Sequence, residues 1–172
     1  KLAAAHNNLG VALRQSGDFS AGAATLKEAA QLAPEVAEIH NNLGNCFKSA
    51  MKYSEAVAAY QRAIERRPAY GEAMANLGAA FVEMNEWDAA EEWCRRAIDT
   101  EPQLAEAHRN LGAALYWKGD LASANECLVS AVTINPADPV ARKQLALVLI
   151  EQGDLSGATE LLIDGLIRDR TP

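Results

Sequence analysis

Residues 40–68, HNNLGNCFKSAMKYSEAVAAYQRAIERRP, decide how the chain is read. Together with the preceding Ile39, the apolar residues Leu43, Cys46, Phe47 and Ala50 fall at i, i+4, i+7, i+8 and i+11, one face of a helix. Tyr53, Ala56, Tyr60, Ala63 and Ile64 mark a second helical face, and Pro68 stops it. The stretch therefore predicts two helices joined by a short turn. Displaced by 34 residues in either direction, the same pattern returns.

A 34-residue frame starting at Ala3 divides the chain without insertion into units 3–36, 37–70, 71–104, 105–138 and 139–172. Frame position 7 is Leu9, Leu43, Leu77, Leu111 and Leu145. Position 8 is Gly10, Gly44, Gly78, Gly112 and then Ala146, and position 20 is Gly22, Ala56, Ala90, Ala124 and Ala158. Position 32 is Pro34, Pro68, Pro102, Pro136 and then Arg170. Helices approach closely only where a side chain is nearly absent, so positions 8 and 20 read as the crossing point within each pair. Gly-Asp turns separate the helices in three units (Gly17-Asp18, Gly119-Asp120, Gly153-Asp154). Ser20, Ser54, Asp88 and Ser156 are expected to cap the second helices, with Asp88 and Glu91 at capping-box spacing. Repetition of this kind predicts an all-α solenoid of five antiparallel helix pairs in one domain, residues 3–172.

Composition narrows the function. Apolar residues make up 49% of the 172, enough for a core, while aromatics are only 6%, which favours closely packed helices. The net charge of −7 argues against generic binding to nucleic-acid phosphates. Residues 1–70 carry a net +2 and residues 71–172 a net −9, so the C-terminal half is expected to disfavour an acidic partner. Cys46, Cys94 and Cys127 show no CxxC spacing and read as reduced, packed thiols. No apolar run approaches the ~18 residues of a membrane span. The chain begins at Lys1 without a methionine, which reads as a fragment whose leader, if it had one, is lost; a cytoplasmic location is expected.

These residues resemble the tetratricopeptide repeat (TPR), whose pattern is W-x2-L-G-x2-Y…A-x3-F…P. Leu-Gly, Ala and Pro match. The Trp position instead holds His6, His40, Met74, His108 and Arg142, the Tyr position Leu13, Phe47, Phe81, Leu115 and Leu149, and the Phe position Leu26, Tyr60, Cys94, Leu128 and Leu162. Apolar volume is mostly kept. The resemblance implies a right-handed TPR superhelix in which the first helix of each pair lines a concave groove. The three histidines share one frame position on different hairpins. Helix axes ~8–10 Å apart cannot bring them to one ion, so they read as packing residues. No metal, cofactor or catalytic motif is expected.

The binding residues are sought at position 6: Asn8, Asn42, Asn76 and Asn110, then Gln144. An amide every 34 residues makes a ladder along the stacked first helices, and each amide offers both a donor and an acceptor. Resemblance to the NNLG-type repeats of protein O-N-acetylglucosamine transferases implies that such a ladder grips the backbone of an extended peptide; bonding between neighbouring repeats is the alternative. If the resemblance holds, Glu38, Asn41, Asn45, Lys48 and Ser49 of the second unit also face the groove. So do Glu106, Arg109, Ala113, Tyr116 and Trp117 of the fourth. Exposed aromatics on a concave face are typical interface anchors, which singles out Tyr116 and Trp117. The carboxylate-clamp repeats of co-chaperones are a poorer match, because Asn41 and Ala113 stand where that pattern needs Lys and Arg. Val129, Ile163 and Ile167 occupy positions that are polar in the first three units and form a candidate self-association surface, hence a homodimer through the last repeat.

The reading is a non-catalytic protein–protein interaction module that binds a segment of a partner protein. The alternatives are a substrate-recruiting array of a larger enzyme, such as a glycosyltransferase, and a self-assembling scaffold.

Overall fold

Each unit folds as the hairpin that its apolar spacing predicts. The structure is a computed structural model that describes the backbone of residues 1–168 and the side chains of residues 1–165. The hairpins are α1 (Leu2–Gln15) with α2 (Phe19–Leu32), α3 (Ala37–Ser49) with α4 (Tyr53–Arg66), α5 (Gly71–Glu83) with α6 (Trp87–Thr100), α7 (Ala105–Trp117) with α8 (Leu121–Ile134), and α9 (Pro139–Glu151) with α10 (Leu155–Arg168). There are no strands among the described residues.

The crossing inside each hairpin is set by one glycine and one large residue. A Cβ on Gly10, Gly44, Gly78 or Gly112 would lie 2.5 Å from Leu26, 2.5 Å from Tyr60, 2.4 Å from Cys94 or 2.6 Å from Leu128. Those four partners share frame position 24 and are fully buried. Burying a side chain of the size of Leu stabilises by about 1.5–3 kcal/mol, so this contact, repeated, holds the hairpins closed. In the fifth unit Ala146 stands in place of the glycine, and its position-24 residue, Leu162, is 43% exposed.

The turns use left-handed backbone. Gly17, Gly119 and Gly153 have φ of 89°, 84° and 84°, and Met51 and Asn85 take the same place with φ of 58° and 60°. The caps differ from the expectation. The second helices begin at frame position 17, which puts Ser20, Ser54, Asp88 and Ser156 inside the first turn. The capping side chains are the turn aspartates instead: Asp18 accepts from Ala21 N (3.0 Å), Asp120 from Ser123 N (3.1 Å) and Asp154 from Gly157 N (2.9 Å). Asp88 and Glu91 both pair with Lys118 Nζ (2.6 and 2.8 Å) rather than forming a capping box.

Three residues in the Trp position tie hairpins together. His40 Nε2 is 2.8 Å from the carbonyl of Pro34, and His108 Nε2 is 2.9 Å from that of Pro102. Arg142 Nη1 donates to the carbonyl of Pro136 (3.0 Å). A ring or guanidinium N–H thus satisfies a carbonyl beyond the last turn of the preceding hairpin. Neighbouring first helices touch across hairpins (α1 with α3, α3 with α5, α5 with α7, α7 with α9). Among the described residues the second helices touch only the first helices that flank them. The first helices are therefore the inner wall of the solenoid. No described helix is long and apolar enough to cross a membrane.

Candidate peptide-binding groove

The inner wall is formed by the first helices α1, α3, α5, α7 and α9, which touch one another in sequence. Three amides of the ladder bond to the preceding unit rather than to one another. Asn42 Nδ2 donates to Asn7 Oδ1 (2.9 Å), Asn76 Nδ2 to Asn41 Oδ1 (3.2 Å) and Asn110 Nδ2 to the carbonyl of Ala75 (3.2 Å). In each case position 6 reaches an acceptor at position 5 of the preceding unit. Asn41 also donates to Glu72 Oε1 (2.9 Å), and Asn45 accepts from the buried Tyr60 hydroxyl (2.8 Å). Burial demands these bonds, because Asn41 is 1% and Asn110 8% exposed, and an orphaned buried amide costs about 1–3 kcal/mol. Asn8, Asn42, Asn45 and Asn76 keep part of their surface on the wall.

The middle of the wall is cationic. Lys48, half-buried on α3, donates to Asn76 Oδ1 (3.3 Å). Burial pushes its ammonium below the ordinary lysine pKa, and the Arg109 guanidinium adds to the shift. Arg109 pairs with Asp138 Oδ2 (2.7 Å). The other oxygen of Asp138 caps α9, accepting from Val140 N (2.8 Å) and Ala141 N (3.2 Å), so the pair fixes the angle at which the last first-helix enters. Lys48, Glu83, Arg109, Asn110 and Gln144 line a cavity of about 360 Å³ here.

Beyond it, between α7 and α9, the wall turns apolar. A cavity of about 470 Å³ is walled by Ala113, Tyr116, Trp117, Val140 and Leu147, with Lys143 and Gln144 on its α9 side. Trp117 is 63% exposed and stacks on Trp87 at 5.7 Å between ring centroids, with Tyr116 edge-on at 5.4 Å. Val140 and Leu147 are 48% and 43% exposed. The structure thus unites Tyr116 and Trp117 with three α9 residues that were not foreseen. The signal lay in the frame: positions 2, 5 and 9 of the last unit are Val140, Lys143 and Leu147, where the second unit has Glu38, Asn41 and Asn45. Asn8 stands apart, on α1 at the opposite end of the wall.

The expected self-association residues lie on second helices, away from this wall. Val129 is 46% and Ile163 52% exposed, and the Ile167 side chain falls outside the described residues. Among the described residues no group of three His, Cys, Asp or Glu side chains converges to hold a metal ion. Cys46 and Cys94 are buried and Cys127 half-buried, all unpaired. Burial raises the thiol pKa of each.

Comparison with known proteins places this geometry. Three models of the tetratricopeptide repeat match, over residues 7–50, 37–70 and 71–100. No curated protein matches in sequence. Among solved structures, MamA from Desulfovibrio magneticus RS-1 (residues 41 to its end) is similar at TM-score 0.81 and 20% identity, over 100% of this chain and 98% of that one. PilF of Pseudomonas aeruginosa is similar at TM-score 0.85 and 21% identity, over 95% and 76%. The first repeat domain of Spaghetti (RPAP3), bound to the HSP90 peptide SRMEEVD, is similar at TM-score 0.65 and 20% identity, over 69% and 94%. At these identities the likeness is one of fold.

Proposed function

This chain belongs to the tetratricopeptide repeat family, and we propose that it is a non-catalytic interaction module that holds a segment of a partner protein against its inner wall. The observation that carries the reading is the cavity between α7 and α9. Trp117, Val140 and Leu147 are all more than 40% exposed around it, and a solvated apolar wall of this kind is stabilised by an occupant. Tyr116 and Trp117 are the anchors, held in place by the stack on Trp87. Asn42, Asn45 and Asn76 offer their remaining lone pairs and N–H groups to the occupant's backbone. The peptide-bound structural neighbour is consistent with a groove of this kind.

The test compares partner capture by the wild type, Trp117→Ala, Leu147→Asp and the double variant Asn42→Ala/Asn76→Ala. A partner held by the wild type should be lost from the first two and weakened in the third. Equal capture by all four removes the groove from the account. A second surface is proposed on the exposure of Val129 and Ile163 on the second helices, where two copies would meet. Light scattering of the wild type beside Ile163→Lys decides it: a dimer that becomes a monomer supports that contact, and identical monomer masses remove it.

A further inference from the structure

The wall holds one amide that its own neighbours do not satisfy. At three junctions the position-6 amide donates to an acceptor at position 5 of the preceding unit. At the fourth junction position 5 is Arg109, whose guanidinium is turned to Asp138. The oxygen of Asn76 is filled by Lys48 at position 12 of the preceding unit, whereas before Gln144 position 12 is Tyr116 and no donor arrives. Gln144 is left with a buried amide oxygen that has no hydrogen-bond partner. Leaving it so costs free energy that a ligand N–H would recover. Its position is informative, because Gln144, Ala113 and Val140 line both cavities and so mark where the cationic and apolar sections meet.

The charges beside it are selective. The two cavities are lined by three cations, Lys48, Arg109 and Lys143, and by one carboxylate, Glu83, in a chain whose net charge is −7. Glu83 accepts from the Tyr53 hydroxyl (3.4 Å). Lys143 is exposed and forms no ion pair among the described residues. Of the acidic residues of the C-terminal half, only Glu83 lines these cavities and Asp138 pairs with Arg109, so Lys48 and Lys143 leave the groove with an excess of positive charge that invites an acidic segment.

We propose, on the groove reading above, that the occupant is an extended acidic–apolar segment. One backbone N–H donates to Gln144 Oε1, a neighbouring large apolar side chain fills the cavity between α7 and α9, and flanking side-chain carboxylates lie against Lys48 and Lys143. The segment is extended because a helix keeps its own N–H groups bonded and has none to give in mid-segment. Its carboxylates belong to side chains rather than to a chain terminus. A terminal residue with two converging carboxylates needs two free cations at one point. Here Arg109 is already paired, and the lysines stand on different helices either side of Gln144.

A random-peptide phage library selected on the immobilised chain, followed by fluorescence anisotropy of the enriched peptides, tests this. Enriched peptides should combine Leu, Met, Phe or Trp with Asp or Glu. Amidating their C-termini should leave affinity unchanged. Gln144→Ala should weaken binding about fivefold, and N-methylation of the donating peptide residue should cost nothing further on that background. Lys143→Gln, at an exposed position, should weaken binding about fivefold and flatten its salt dependence, with Lys48→Gln as a second arm. Basic or uncharged peptides that still lose affinity with Trp117→Ala would overturn the acidic assignment and leave the groove reading standing. Peptides that need a free C-terminus overturn the side-chain assignment. No enrichment, or binding indifferent to Trp117→Ala and Lys143→Gln, overturns both readings.

Discussion

Asn76 and Gln144 occupy the same frame position on the same wall, and their amides differ by one methylene. Asn76 donates to Asn41 and accepts from Lys48. Gln144 keeps an unpartnered buried oxygen. The difference lies in position 12 of the preceding unit, where Lys48 donates to the Asn76 oxygen, while Tyr116 stands before Gln144 and no donor reaches its oxygen. In the second and third hairpins the wall amides Asn41, Asn42, Asn45 and Asn76 are all hydrogen-bonded to neighbouring side chains. The fourth and fifth form an open region, with a free amide, exposed aromatics and a cavity of about 470 Å³. One repeat therefore closes on its neighbours in one half and leaves polar and apolar groups open in the other, according to a neighbouring side chain.

The contrast can be broken from the closed side, most severely by alkali. Burial raises the Cys94 thiol from the ordinary 9.0 to about 12, and the Tyr70 hydroxyl from 10.0 to about 12. The fold favours the neutral form of both, so their contribution is intact below pH about 9 and is lost as pH climbs toward 12. Helical circular dichroism followed across that window should fall; a flat trace contradicts the assignment. Gly44→Leu comes next. Its side chain has to enter space held by Tyr60, at an expected cost of about 3 kcal/mol in chemical denaturation.

Asn41→Ala removes two inter-repeat bonds from a buried site and should cost about 2 kcal/mol. The smallest effect sharpens the comparison most. Asn76→Leu should destabilise by about 1 kcal/mol, whereas Gln144→Leu should be neutral or stabilise by up to about 1 kcal/mol, because it removes an unsatisfied acceptor. Equal losses in urea midpoints for the two variants would mean that the halves do not differ in this way.

How much of this was legible in sequence varies by residue. Leu43, Gly44, Ala56 and Pro68 announced the hairpin, because sterics and helical periodicity act within a few residues. The histidines were readable as packing residues, but not the bonds of His40 and His108 to the proline carbonyls six residues upstream. The caps were misplaced by two residues, since the helix starts as soon as the left-handed turn residue allows. Tyr116 and Trp117 were singled out in sequence, and both line the cavity between α7 and α9. Their partners Val140, Lys143 and Leu147 were not singled out, because they complete the site from the next unit.

By itself the sequence determined the repeat, its period of 34 residues, the two helices of each unit and the glycine on which they cross. Those features follow from local sterics and from apolar spacing that recurs along the chain. Only the tertiary structure decided which amides are engaged and which is free, and where the wall opens into a cavity. These outcomes depend on pairs about one repeat apart, such as Asn76 with Asn41 and Arg109 with Asp138. A hydrogen bond's energy depends on the partner's atoms and their burial, and no residue type carries that information alone.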